Sequence, residues 1–109
     1  MELVMEWIKV ASAQELGEDE VRSVNVAGHS IALYRVGGEF LATDGICTHG
    51  KAQLSDGFLE DGCIECPLHQ GRFDIRTGKA LCAPATVDLR THATKRVGDD
   101  IYVQAPDAA

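Results

Sequence analysis

Two cysteines and two histidines fall in two short segments, Cys47-Thr48-His49-Gly50 and Cys66-Pro67-Leu68-His69, with sixteen residues between His49 and Cys66. Each segment offers one thiolate and one imidazole. Two chemistries use that donor set. A structural zinc ion accepts two cysteines and two histidines, but such sites usually pair Cys with Cys and His with His at short intervals. A binuclear iron–sulfur centre of mixed ligation also takes two sulfur and two nitrogen ligands, the histidines replacing two cysteines on one iron. One Cys and one His per loop suits two loops clamping a pair of sulfide-bridged irons better than one tetrahedral ion. The chemistry expected is one-electron transfer, with a structural zinc module as the competing reading.

The elements that must position these loops read as strands. Trp7 to Val10 forms a first strand, and Ser12 to Leu16 one helical turn in which Ser12 and Glu15 make a capping box. Val21–Val26 and Ile31–Val36 alternate apolar and polar residues and are joined through Ala27-Gly28-His29-Ser30. Gly37-Gly38 is a two-residue hairpin signal leading into Glu39–Thr43. Late in the chain, Val87–Val97 and Ile101–Gln104 flank Gly98-Asp99-Asp100. No helical periodicity runs far enough for a substantial helix. The fold expected is all-β, an antiparallel sandwich or barrel, with a subdomain of two metal-binding loops inserted at about 45–84. Six of the eleven glycines lie in the 34 residues 45–78, where backbone amides must turn inward toward sulfur.

Residues 42–84, ATDGICTHGKAQLSDGFLEDGCIECPLHQGRFDIRTGKALCAP, resemble the small Rieske ferredoxins of bacterial aromatic ring-hydroxylating dioxygenase systems, of the naphthalene dioxygenase type. The most specific parts are Cys47 through Gly50, Ser55-Asp56-Gly57, and Cys66 through Asp74. The resemblance covers nearly the whole chain and implies a single Rieske domain over residues 1–109 with one [2Fe-2S] cluster. It implies that Cys47 and Cys66 bind the inner iron and His49 and His69 the outer one. It also implies a third loop, containing Pro84, that lies over the cluster. The expected partners are a flavin- and NAD(P)H-dependent reductase that supplies electrons and a terminal hydroxylating dioxygenase that takes them. Lys51, Gln70, Arg72 and Phe73 flank the ligand histidines and are candidate contacts, with core packing an equal alternative for Phe73. The small Rieske-like subunit of an assimilatory nitrite reductase is a second relative to weigh, and the dioxygenase-like motifs argue against it.

Two substitutions bear on the redox potential. Rieske proteins of cytochrome bc complexes carry an extra cysteine in each loop, where this chain has Ala52 and Leu68, so that bridging disulfide is missing. Their serine and tyrosine donors to the cluster sulfurs correspond to Gly71 and Phe73, which have no hydroxyl. With fewer donors the reduced cluster is less stabilised, so the potential expected lies at the low end of the Rieske range, about −150 mV.

Composition closes off other functions. A net charge of −7, with Glu15, Glu18, Asp19 and Glu20 in one cluster, argues against nucleic acid. No apolar run approaches the roughly 20 residues of a membrane-spanning helix. Met1 to Glu6 lacks the features of a secretion signal, so a cytoplasmic location and a monomer are expected. Cys63 and Cys82 are expected as small buried hydrophobes rather than a disulfide. Only His29 and His92 remain once two histidines are ligands, too few for the two-histidine, one-carboxylate iron site of an oxygenase. A carrier is expected, not an enzyme.

Overall fold

A computed structural model of the chain describes residues 6–48, 52–67, 71–82 and 87–105, with the side chain of Cys82 not described. The N-terminal half supplies one strand to one sheet and a three-strand meander to another. Strand β1 (Trp7–Ser12) runs into a 3-10 turn over Ala13–Glu15, where Glu15 accepts from the Ser12 N–H at 2.7 Å and completes the capping box read from sequence. Arg35 Nη1 then donates to the carbonyls of Ala13 and Leu16 at 2.9 and 2.8 Å, satisfying the end of that turn. Strands β2 (Glu20–Val26), β3 (His29–Val36) and β4 (Glu39–Asp44) follow, paired antiparallel in register. Gly37 and Gly38 both hold positive φ, 61° and 77°, as a tight hairpin with the native twist requires.

Strand β3 explains how the molecule divides. Its side chains alternate between faces with period two, and both faces are buried. Ile31 and Leu33 enter one apolar cluster with Val26, Phe40, Ala42, Ile101 and Val103. Ala32 and Tyr34 enter another, with Cys47, Cys66, Leu54, Ile64, Phe73 and Ile75. One strand therefore stands between the β-sandwich core and the core that contains Cys47 and Cys66. The only buried polar side chain among the described residues, Thr43, is matched by the Tyr34 hydroxyl at 2.8 Å. Burial pushes the Tyr34 phenol far above its ordinary value, so it stays neutral.

The inserted part contains β5 (Phe58–Glu60), β6 (Cys63–Glu65), β7 (Arg72–Asp74) and β8 (Ala80–Cys82), in that order in one antiparallel sheet. The chain returns through β9 (Thr91–His92), β10 (Thr94–Val97) and β11 (Asp100–Gln104). β9 extends the β2-β3-β4 sheet, while β11 lies between β1 and β10, so the first and last strands pair. The expected continuous segment from Val87 to Val97 is thus corrected: residues 87–90 are irregular and two short strands follow in different sheets. The reason is that this stretch changes partners. Leu89 donates to the Gly78 carbonyl at 2.7 Å, whereas the Arg90 carbonyl accepts from Asp44 at 2.9 Å. His29, expected in a turn, opens β3 opposite Val26.

Candidate metal centre

The two cysteines occupy equivalent places on two hairpin stems. Leaving β4, the chain makes an isolated bridge between Ile46 and Gln53, and Leu54 donates to the Gly45 carbonyl at 2.8 Å. Cys47 N–H then donates to the Ala52 carbonyl, five residues on, at 2.9 Å. On the second stem, Glu65 pairs with Arg72, and Cys66 N–H donates to the Gly71 carbonyl, again five residues on, at 2.7 Å. The base of each Cys/His loop is therefore closed by its own cysteine amide. The same closure twice gives the two thiols the same starting point relative to their hairpins.

Gly57 fixes one stem to the other. It ends the 3-10 turn Leu54–Asp56, donating to the Leu54 carbonyl at 2.9 Å, and a Cβ there would sit 2.0 Å from the Glu65 carbonyl oxygen. No side chain fits, so the turn that follows the first loop lies directly on the residue preceding Cys66. That contact gives the Ser55-Asp56-Gly57 motif its physical meaning.

Cys47 and Cys66 are 3% and 1% exposed and share one apolar cluster with Ala52, Leu54, Phe73 and Leu89. Two soft sulfur donors buried at matched positions on two hairpin stems fit an iron–sulfur group. His49 and His69 lie outside the described residues, as do Lys51, Gln70 and Pro84. Among the described residues no three His, Cys, Asp or Glu side chains gather into a metal site, since two of the four expected donors are not among them.

Other expectations are revised. Phe73 is fully buried in the cysteine cluster, which removes it from any contact surface. Gly71 and Phe73, the positions expected to lack donors, both lie buried beside the second loop stem. Cys63 is only half-buried and is not the buried hydrophobe expected. Its free thiol donates to the Asp61 carbonyl at 3.8 Å, which leaves no Cys63–Cys82 disulfide. Arg72 is half-exposed, its Nε 3.9 Å from Glu65 Oε1 and without a hydrogen-bond partner.

The surroundings of Asp44 are not legible in the sequence. Its carboxylate accepts from His92 Nε2 at 2.8 Å and from Arg90 Nε at 3.2 Å. Burial works to raise its pKa, but those two hydrogen bonds, with the Arg90 charge, outweigh it and hold the carboxyl below its ordinary value. No local pattern signals a pairing 48 residues long-range in sequence. His92 therefore has a partner and is not a bare surface residue.

Comparison with known proteins gives a consistent result. Residues 6–93 match the family described as the Rieske [2Fe-2S] domain. The chain is 52% identical over 97 residues to the naphthalene 1,2-dioxygenase system ferredoxin component of Pseudomonas aeruginosa, covering 89% of this chain and 93% of that protein. It is 55% identical over 93 residues to the ferredoxin component of the naphthalene 1,2-dioxygenase/salicylate 5-hydroxylase systems of a Ralstonia species, covering 85% and 89%. Among solved structures, a chain of the complex of reduced oxygenase and oxidized ferredoxin in carbazole 1,9a-dioxygenase superimposes with a TM-score of 0.88 and 38% identity, over 94% of this chain and 96% of that one.

Proposed function

The chain belongs to the Rieske [2Fe-2S] domain family, and from that premise we propose that it is a one-electron carrier, the ferredoxin component of an aromatic ring-hydroxylating dioxygenase system. The observation that carries this reading is the matched pair of loop stems, each opening on a buried cysteine of a Cys/His motif. When bound, the cluster stores one electron and gives it up again.

The residues of this chain do the rest. Cys47 and Cys66 would hold the inner iron from the apolar interior, and His49 and His69 would hold the outer one. With four thiolates the oxidised centre would carry two negative charges and the reduced one three. With two neutral imidazoles the count falls to zero and one, so accepting an electron costs less than in an all-thiolate ferredoxin. The hydrogen bonds from the Cys47 and Cys66 amides to the Ala52 and Gly71 carbonyls would hold the bases of both loops in place. Ala52, Leu54, Phe73 and Leu89 exclude water from the sulfur side. Residues 1–109 would act as one domain with its ligand-bearing part at about 45–84, a reading supported by β3, which contributes to both apolar clusters.

The chain is not itself the oxygenase; its relatives are named ferredoxin components. We infer a terminal oxygenase as electron acceptor, supported by the carbazole dioxygenase complex, and an NAD(P)H-dependent flavoprotein reductase as donor. The net charge of −7 favours a dispersed monomer, we propose the cytoplasm as its location, and no described helix is long and apolar enough to cross a membrane. The test is reconstitution: two equivalents of the reduced protein, mixed with an oxidised naphthalene-type terminal oxygenase, the arene and dioxygen, should be reoxidised within a turnover and yield hydroxylated arene. Failure to pass electrons to any ring-hydroxylating oxygenase would overturn the assignment.

A further inference from the structure

Residues 87–92 run antiparallel beside residues 44–48 and are clipped to them at both ends. At one end, Asp44 makes three contacts: its N–H to the Arg90 carbonyl at 2.9 Å, and its carboxylate to His92 and Arg90. These continue the β4–β9 pairing one step past its last rung, Thr43 with Thr91. At the other end, Thr48 Oγ1 donates to the Val87 carbonyl at 2.6 Å. Between the clips, Leu89 points into the cluster that contains both cysteines.

The same segment also reaches the second hairpin. Leu89 N–H donates to Gly78 at 2.7 Å, and a Cβ on Gly78 would lie 2.1 Å from the Leu89 carbonyl oxygen. Ala80 N–H donates to Asp88 Oδ1 at 2.9 Å. One short stretch thus touches the stem of the first ligand loop and the β7–β8 connection behind the second. Its register decides how the two stems stand to each other. Apolar packing alone tolerates sliding, whereas a carboxylate bonded on both oxygens has one position. The His92 side chain is 7% exposed, so water does not readily replace that bond.

We propose that Asp44, acting through His92 and Arg90, is a positioning residue for the metal centre: it sets the register of residues 87–92 and thereby the separation of Cys47 and Cys66. The inference rests on the two-loop cluster assignment given above. A merely structural ion pair would lower the stability of the whole fold without a particular effect on cluster retention.

The experiment uses anaerobically purified, cluster-loaded protein carrying Asp44→Ala, Asp44→Asn, His92→Gln or His92→Leu. Lys9→Ala, which removes the exposed Lys9–Asp100 pair between β1 and β11, is the control. Two quantities are read: the rate at which an iron chelator bleaches the visible absorption, and the line shape of the reduced-state electron paramagnetic resonance signal. Asp44→Ala should bleach roughly tenfold faster, as loss of a supporting partner behind a metal ligand typically does, and should broaden the signal. His92→Gln, which keeps an N–H donor, should stay close to wild type, while His92→Leu should behave like Asp44→Ala. Lys9→Ala should bleach at the wild-type rate. Wild-type bleaching in Asp44→Ala, or equal effects of Gln and Leu at position 92, would overturn the proposal. So would acceleration in Asp44→Ala no greater than its loss of thermal stability accounts for. If Asp44→Ala fails to assemble, the contrast between the two His92 variants decides. A wild-type protein without iron and sulfide would overturn the electron-carrier reading and this role together, whereas cluster-loaded wild type with indifferent variants overturns this role alone.

Discussion

At the scale of single residues, the three cysteines whose side chains are described stand in different surroundings. Cys47 and Cys66 open the two loops and are buried, whereas Cys63 is half-buried and bonded only to a nearby carbonyl. Replacing Cys47, His49, Cys66 or His69 by alanine should give protein without cluster absorption, and Cys63→Ala should retain the full iron and sulfide content. Measuring iron and sulfide per chain checks all five, and a cluster-bearing Cys66→Ala would remove that residue from the ligand set. The potential belongs to this scale as well. Gly71→Ser and Phe73→Tyr would place hydroxyls at buried positions on the second stem and should raise the midpoint above the expected value of about −150 mV. An unchanged or lower midpoint in redox titration would contradict the argument from missing donors. One pH dependence comes from Asp44. Its folded-state pKa is depressed, so its contribution to stability is complete above the ordinary carboxyl value and is lost as pH falls through the folded one. Cluster retention should be flat near neutrality and fall below about pH 4, and Asp44→Asn should weaken that acid dependence.

At the scale of elements, the two stems and the turn between them are the working unit. Gly57→Ala forces a Cβ against the Glu65 carbonyl and should cost about 3 kcal/mol by overpacking, with a parallel fall in cluster content. Gly38→Ala meets no atom within 4 Å and should cost only about 1 kcal/mol, from its positive φ, with cluster content intact. Denaturation curves and iron assays on the pair separate a fault in the stems from a fault in the scaffold. Local elements were legible where their signal is local. The Gly37-Gly38 turn, the Ser12–Glu15 box and the alternation of β2 and β3 are each settled by neighbours in sequence. β9 and the irregular run before it were not legible, because their conformation comes from Asp44 and Gly78, which lie far away in the chain. Phe73 was ambiguous for a related reason. Its neighbours Arg72 and Asp74 are polar, and only the packing of Ile64 and Leu89 around it shows which face is inside.

At the scale of the whole molecule, β3 joins a sandwich core to the core that contains Cys47 and Cys66, so each supports the other. Sequence gave no sign that β11 would sit between β1 and β10, since strand order depends on long-range pairing rather than on periodicity. The paired motif, by contrast, was readable at once, because metal chemistry restricts both residue type and spacing. Charge acts at this scale too. With a net charge of −7, association with redox partners should depend on ionic strength, and Arg72, half-exposed at the base of the second loop, is the described residue best placed to contribute. Arg72→Glu should slow electron delivery to the oxygenase several-fold at low salt while leaving the midpoint potential nearly unchanged. Equal turnover across ionic strengths would exclude Arg72 from the contact. All of this presupposes the mixed-ligand cluster, and pulsed electron paramagnetic resonance of the dithionite-reduced, anaerobically purified protein tests it most directly. The account predicts one unpaired spin per chain coupled to two ligand nitrogens, with two irons and two sulfides bound. A colourless, silent protein holding a single zinc would contradict it.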